Sequence, residues 1–244
     1  QMCIRDRCDA ARHDEPAQPL LLGLYGGSWV AFTLYSLPPF RLKARGVAGI
    51  IADTSGANVF PALLAAALAT NAAGVAQDWL WLSAVGTWTF VYGLRGILWH
   101  QLVDAEADRI GGVDTFVQRH GPHAAQMLGK WIAAPLEFVA LALMLFQIGS
   151  IAPLIALGLY GAFVVAQLDL FEMNATLVEP KPRPLFIGQR YYDLFMPLAL
   201  LVGSAVQHPI DYGVLIMHML IFPQRPLQFV SDIIAMKRCA QARK

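Results

Sequence analysis

The chain has 244 residues, of which 57% are hydrophobic and only 14% charged, whereas soluble domains carry about 25% charged residues. Mean hydropathy is +0.49, and the formal net charge is only +1 because 18 basic residues nearly balance 17 acidic ones. These values exclude a disordered chain, a basic nucleic-acid-binding domain and an ordinary soluble enzyme. They predict an all-α, polytopic membrane protein that has the lipid bilayer, and no nucleic acid, as a partner.

Apolar runs follow one another along the chain at the length that a membrane requires. A helix needs about 20 mostly apolar residues to cross a bilayer core about 30 Å thick. Five runs meet this requirement: residues 20–37, 47–76, 79–99, 131–149 and 151–168. Two shorter runs, 194–206 and 214–222, are either one broken span with its return or a sixth and a seventh span. The predicted fold is therefore a transmembrane helical bundle of six to seven spans over residues 20–223.

Basic residues occur in alternate segments between these runs. Segments on one predicted side carry three to five lysines or arginines each: 38–46, 100–130, 169–193 and 223–244. The opposite segments, 71–78, 149–151 and 207–211, carry none. The positive-inside rule places the basic segments in the cytoplasm, and a cytoplasmic basic tail over 224–244 favours seven spans. We therefore expect the cytoplasmic membrane of a bacterium, with the loop 100–130 on the cytoplasmic side.

The N-terminal segment conflicts with this orientation, since it should lie outside and yet carries Arg5, Arg7 and Arg12. Its first seven residues, QMCIRDR, resemble a translated artefact of sequence assembly, so residues 1–7 are predicted not to be native. Without them only Arg12 remains, and the conflict nearly disappears. We assign residues 1–19 to an artefact and a linker, and expect a natural chain that is longer at its N-terminus.

The longest polar loop begins HQLVDAEADRIGG at His100. Asp104 and Asp108 are four residues apart, so on a helix they share one face, with His100 one turn earlier. Like charges so placed repel by about 0.2–0.5 kcal/mol, and a divalent cation between them removes this repulsion. Mg²⁺ commonly takes one or two carboxylates and completes its shell with water and substrate phosphates. The alternative is a solvated helix end, whose acidic residues pair with Arg109 or Arg119.

Two motifs carry a resemblance to a known family. The pattern Asp-x-x-x-Asp-x-x-x-Gly-x-x-Thr, from Asp104 to Thr115, resembles the second aspartate-rich motif of the UbiA-type intramembrane prenyltransferases. The segment YSLPPFRLKARG at residues 35–46 is similar to the Tyr-Ser, Pro-Pro and Lys segment of the same superfamily. Two predicted spans separate the motifs, as in that family. The resemblance implies that the chain corresponds to the fourth to ninth helices, the C-terminal two-thirds of a nine-helix fold.

The resemblance also implies a reaction, which is the Mg²⁺-dependent transfer of an isoprenoid group from a prenyl diphosphate to an aromatic or other lipophilic acceptor. In that reaction Mg²⁺ draws charge from the leaving diphosphate, and basic side chains stabilise the same charge in a cavity that holds little water. By position, Asp104 and Asp108 are the catalytic metal–diphosphate ligands. Arg41 and Lys43 are the diphosphate clamps, and Arg45 is the less favoured third.

Four further polar residues are predicted to bind substrate, each with an alternative. Arg95 lies inside an apolar run, where a charge is costly and indicates function, unless its side chain extends to the interface. His100 and Gln101 are candidates to hydrogen-bond the acceptor or to orient Asp104, and an interfacial structural role is the alternative for the histidine. Glu137 is a candidate base or acceptor contact that faces the cavity, or the partner in a hydrogen bond between helices.

One departure from the family pattern bears on activity. The family has another aspartate-rich motif, of the Asn-Asp-x-x-Asp type, between its second and third helices, and this sequence has no such segment. We expect that motif in three helices ahead of residue 20 in the natural chain. The 244-residue chain is therefore expected to be inactive by itself.

Two other classes of membrane protein use spaced aspartates. A CDP-alcohol phosphotransferase needs Asp-Gly and Ala-Arg pairs in one block with its Asp-x-x-x-Asp, whereas here Ala44-Arg45 lies two spans before Asp104. That class is discounted. A non-catalytic transporter or lipid-binding membrane protein, with Asp104 and Asp108 acting in substrate or ion passage, is the alternative that stays open.

Overall fold

The structure is a computed structural model that describes residues 17–242. The expectations for residues 1–16 lie outside this range. The chain divides into two compact units, Gln1–Gln147 and Ile148–Lys244. Most of the described backbone is helical, which confirms the predicted all-α class.

The first unit consists of long helices joined by short loops. In chain order the helices are α1 (Ala17–Ser36), α2 (Val47–Ala72), α3 (Trp79–Val103), α4 (Ala105–Ile110) and α5 (Phe116–Ile148), which continues to the boundary of the unit. A short 3₁₀ turn, Leu42–Ala44, precedes α2. Side chains cap the N-termini of two helices. Asp78 accepts hydrogen bonds from the N–H groups of Leu80 and Trp81 at the start of α3. Thr115 accepts a hydrogen bond from the N–H of Gln118 at the start of α5.

The second unit adds four helices and a small sheet. The helices are α6 (Ala152–Leu170), α7 (Met196–Gln207), α8 (Tyr212–Ile221) and α9 (Gln224–Ala242). Strands β1 (Asn174–Thr176) and β2 (Pro184–Phe186) pair in parallel, with Ala175 opposite Leu185. This two-stranded sheet is a departure from the predicted helical pattern. Strands of three residues are too short to show an alternating pattern of apolar and polar residues.

Each predicted apolar run coincides with a helix, and the largest difference in bounds is at α5. This helix begins at Phe116, whereas the apolar run begins at residue 131. The backbone of Gly121, with a φ of 80° and a ψ of 161° ahead of Pro122, is not helical and separates a short first segment of α5 from the long one that follows. A π-helical turn, Leu128–Ala133, then leads into the apolar part. The polar start of α5 therefore consists of two helical segments that meet at a kink.

Three of the described helices are long and apolar enough to cross a membrane: Val47–Ala72, Phe116–Ile148 and Ala152–Leu170. Pro209–Ile221 is a shorter apolar helix. Large hydrophobic side chains lie exposed on these helices, among them Phe146 and Leu220, which is compatible with contact with a lipid bilayer. The helices are consistent with an integral membrane protein, and the bundle of six to seven spans stays a prediction.

A buried ion pair connects α3 and α5 in the first unit. Arg95 Nε and Nη2 donate to the two carboxylate oxygens of Glu137, at 2.5 Å and 2.8 Å. The side chains are only 5% and 1% exposed. Arg95 therefore does not extend to an interface, and Glu137 makes the inter-helix contact that was its alternative assignment. Removing either partner would leave the other charge buried and without its counter-charge from this pair, which is the costly case.

We expect Glu137→Gln to lower the free energy of unfolding by about 3–5 kcal/mol, because it leaves Arg95 charged and without its carboxylate. Replacing both residues by Met should restore most of this loss. Denaturant unfolding in detergent micelles, followed by circular dichroism, measures both effects. Glu106→Gln is the control, since the pair of Glu106 with Arg109 is exposed and such pairs contribute little. Equal effects of Glu137→Gln and Glu106→Gln would contradict the role of the buried pair.

Candidate functional site

The two loops that carry the family-like motifs lie against each other in the first unit. The N–H of Gly46 donates to the carbonyl oxygen of Asp114 at 3.2 Å, and Gly46 and Thr115 form a parallel β-bridge. Arg119 Nη2 donates to the carbonyl oxygen of Ala44 at 3.5 Å. Loop 35–46 and loop 104–115 are thus joined by backbone contacts at one end of the unit.

Gly46 permits this close contact. Its φ of +55° is in the left-handed region, and a Cβ at this position would lie 2.8 Å from Cδ of Arg119. Arg119 is itself held in place, because its Nε donates to a carboxylate oxygen of Asp114 at 2.7 Å. Any larger residue at position 46 would therefore push the two loops apart or displace the Arg119–Asp114 pair.

The structure places Asp104 and Asp108 on one helical turn, as the spacing predicted. Asp104 ends α3, and its carbonyl oxygen accepts from the N–H of Asp108 at 2.8 Å. Asp104 is exposed and Asp108 half-buried. Desolvation and the neighbouring Asp104 charge raise the pKa of Asp108 above its ordinary value of 3.8, while a hydrogen bond from Thr115 opposes the shift. A nearby cation would favour the charged form of Asp108.

Further polar side chains lie within electrostatic reach of this pair. Tyr35, at the end of α1, interacts with Asp108 and also with Asp53 on α2. His100 on α3 interacts with Asp53. In the sequence, Asp53 is a lone carboxylate near the start of an apolar run, which by itself does not indicate its neighbours.

The predicted basic clamps belong to the loop that contacts Asp114 and Thr115. Lys43 is half-buried in the 3₁₀ turn, and Arg41 is exposed, with a left-handed φ of 38°. Neither makes an ion pair with any residue in the range 17–242. Arg45 instead donates to the carbonyl oxygen of Pro39 at 3.1 Å and holds the loop. Arg41 and Lys43 are therefore the cations of this loop that a bound anion can recruit.

The other predicted residues of α3 are His100 and Gln101, which lie near its C-terminal end, and Arg95, which lies further from that end. His100 is exposed beside the acidic turn, and its ring centroid lies 5.0 Å from that of Trp99. Gln101 is buried, and its Oε1 accepts from the N–H of Val117 at 3.3 Å, so that it connects α3 to α5. Arg95 precedes Asp104 by nine residues, which is about 13 Å along a helix axis. Arg95 and its partner are thus apart from the acidic pair.

The carboxylates fit one side of a Mg²⁺ site. Residues 17–242 contain no group of three or more His, Cys, Asp or Glu side chains that could hold a metal ion. Asp104 and Asp108 alone supply two carboxylates, and Mg²⁺ is commonly bound by one or two carboxylates plus water and substrate phosphates. Burial first, and the charge of Asp104 second, raise the pKa of Asp108, and a bound cation would offset both. The donor set suits a metal that arrives with a phosphate ligand.

Comparison with protein families, with curated proteins and with solved structures finds no match for this chain.

The pKa values of two carboxyl groups that are two residues apart, Glu106 and Asp108, should shift in opposite directions. Asp108 is expected to titrate above its ordinary 3.8 because burial and Asp104 disfavour its charge. Glu106 should titrate below its ordinary 4.5, because it accepts a hydrogen bond from Arg109. Carboxyl ¹³C chemical shifts of the protein in micelles, recorded against pH, measure both values.

The sign for stability follows from the raised pKa. The folded state favours the protonated form of Asp108. Its contribution to the stability of the fold is therefore present below pH 3.8, and it is lost as the pH rises through the pKa of Asp108 in the folded protein. Asp104→Asn should lower the pKa of Asp108, because it removes the neighbouring charge. An unchanged Asp108 titration in Asp104→Asn would contradict the proximity of the two carboxylates.

We expect Gly46→Ala to destabilise the fold by more than Gly112→Ala. Both glycines have positive φ, +55° and +63°, so both changes carry a backbone strain of about 1–2 kcal/mol. Only at Gly46 does the new Cβ meet Arg119, whereas at Gly112 nothing lies within 4 Å. Denaturant unfolding of the two variants isolates the effect of the close approach. Equal losses would show that the two loops are not in contact at this position.

Proposed function

We propose that the chain belongs to a membrane prenyltransferase of the UbiA type, which transfers an isoprenoid group from a prenyl diphosphate to a lipophilic acceptor. The observation that supports the proposal most strongly is the contact between loop 35–46 and loop 104–115. This contact brings the loop of Arg41 and Lys43, which make no ion pair with residues 17–242, against the segment that follows Asp104 and Asp108. Cations and carboxylates together are what a metal–diphosphate complex requires.

Each part of the proposed site has a distinct task. Asp104 and Asp108 hold the diphosphate through Mg²⁺, which, when bound, supplies a positive charge that favours departure of the diphosphate. Lys43 and Arg41 donate hydrogen bonds to the diphosphate oxygens and stabilise the negative charge that grows there. An electron-rich atom of the acceptor then forms the new bond to the prenyl carbon. His100 and Gln101 are proposed to lie at the acceptor side of the turn.

The position of the acidic turn suits an amphiphilic substrate. Asp104 ends α3, and the preceding turns of α3 are mostly apolar. A diphosphate at the polar end of the helix leaves the isoprenoid chain beside apolar side chains and away from water, where electrostatic interactions are stronger. We propose that this turn faces the cytoplasm in a bundle of six to seven spans in a bacterial membrane.

The proposal predicts that Asp104→Ala and Asp108→Ala abolish Mg²⁺-dependent binding of a prenyl thiolodiphosphate, a substrate analogue that resists ionisation. Lys43→Ala should weaken this binding by about tenfold, the effect of losing one charge-assisted hydrogen bond of about 1.5 kcal/mol. Binding is measured by titration of the purified chain in micelles, so the assay does not require turnover.

Glu106→Gln is the matched control for these variants. Glu106 lies between the two aspartates in sequence but pairs with Arg109 on the exposed side of α4, so its loss should leave binding unchanged. Unaltered binding in all three site variants would refute the site. Altered ion or substrate passage in those variants, with no prenyl diphosphate binding in the parent chain, would instead favour the non-catalytic transporter.

A further inference from the structure

A cleft with a volume of about 910 Å³ lies in the second unit, and none of its lining residues belongs to the proposed reaction site. It opens where α6 ends, and the turn before α7 and one side of α9 complete its walls. Six charged side chains line it: Arg183, Arg190, Arg225, Glu172, Asp193 and Asp232. Three cations and three anions around one cavity make it electrically balanced and strongly polar.

Each cation of the cleft lies beside a carboxylate. The closest nitrogen–oxygen distances are 2.5 Å for Arg190–Asp232, 3.0 Å for Arg225–Asp193 and 3.9 Å for Arg183–Glu172. A guanidinium has five N–H donors and a carboxylate has about four acceptor sites. These ion pairs therefore use only some of the donors and acceptors of the cleft. The walls can therefore bind positive and negative groups of one ligand at once, which suits a zwitterion better than an ion of one sign.

Gln167 supplies an independent indication that a hydrogen-bond donor belongs in the cleft. Its side chain is 4% exposed, and its Oε1 has no hydrogen-bond partner in the described part of the chain. Its Nε2 donates to Asp232 at 3.5 Å, which directs the amide toward the charged wall. Because a buried acceptor without a partner is unfavourable, a ligand N–H at this point would be stabilised by both Oε1 and the nearby carboxylate.

The position of the cleft along the candidate membrane span indicates what kind of ligand can reach it. α6 is a candidate membrane span that ends at Leu170, and Gln167, Leu170 and Phe171 belong to the wall. The cleft therefore begins where the span ends, which is the level of phospholipid headgroups. Apolar side chains of the β2 strand, Leu185 and Phe186, also line it and provide a surface for the first part of an acyl chain.

We propose that this cleft binds the headgroup of a zwitterionic phospholipid that has a primary ammonium group, with phosphatidylethanolamine as the probe. The ammonium donates to Gln167 Oε1 and to Asp232, and the phosphate accepts from Arg183, whose existing carboxylate contact is the longest of the three. The inference does not depend on the proposed prenyl transfer, since none of its residues lies in the first unit.

The test uses the full chain, purified and delipidated in detergent, and short-chain phosphatidylethanolamine, phosphatidylcholine and phosphatidylglycerol. Native mass spectrometry counts the bound lipid. We expect phosphatidylethanolamine to bind about tenfold more tightly than phosphatidylcholine, which keeps the charge but has no N–H to donate. Stepwise N-methylation of the headgroup should weaken binding in steps. This series requires no variant and so tests the inference even where a substitution perturbs folding.

Variants then locate the binding in the cleft. Gln167→Leu should remove most of the preference for phosphatidylethanolamine over phosphatidylcholine, whereas Arg183→Gln should weaken the binding of both. Gln228→Leu, the same change at an exposed position of α9 outside the cleft, should change neither. Equal binding of the methylated and unmethylated lipids would overturn the inference. So would tighter binding of phosphatidylglycerol, or a preference that survives in Gln167→Leu.

Discussion

Arg95 and Glu137 occupy a position where neither charge is stable alone, and much of the first unit follows from that constraint. The pair is almost fully buried, so α3 and α5 must keep the rotation and the height at which the guanidinium faces the carboxylate. Gln101, further along α3, then meets the N–H of Val117 near the start of α5. Since α3 ends three residues later at Asp104, the same contact sets where the acidic turn lies.

The polar groups of the protein are arranged as a low-dielectric environment requires. The buried charges of Arg95 and Glu137 are paired, and side chains such as Thr89 return a hydrogen bond to their own helix, here to the carbonyl oxygen of Val85. Lys43, which makes no ion pair with residues 17–242, lies in the turn before α2. Exposed aromatic and aliphatic side chains cover much of the remaining surface. These features agree with one another if lipid surrounds the helices.

Sequence reasoning predicted features that depend on local spacing and missed those that depend on rotation. The shared face of Asp104 and Asp108 follows from helical periodicity and is seen in the Asp108–Asp104 backbone hydrogen bond. The apolar runs likewise predicted where most helices lie. The pairing of Arg95 with Glu137 was not predicted, because hydropathy does not specify which sides of two apolar helices meet. The roles predicted for Arg41 and Lys43 rest on resemblance, and their contact partners depend on a ligand.

The π-helical turn Leu128–Ala133 has a consequence for how the gene can vary in length. Such a turn holds one residue more than the α-helix on either side of it. Deleting one residue there would yield an unbroken α-helix that keeps the rotation of the residues on either side, because the wide turn accommodates its extra residue without turning the helix further. A deletion in the α-helical turns between this segment and Glu137 would instead rotate everything after it by about 100°, so that Glu137 would point away from α3. In any descendant that keeps the arginine, loss of a single residue is therefore expected within Leu128–Ala133 and not in the α-helical turns that follow it.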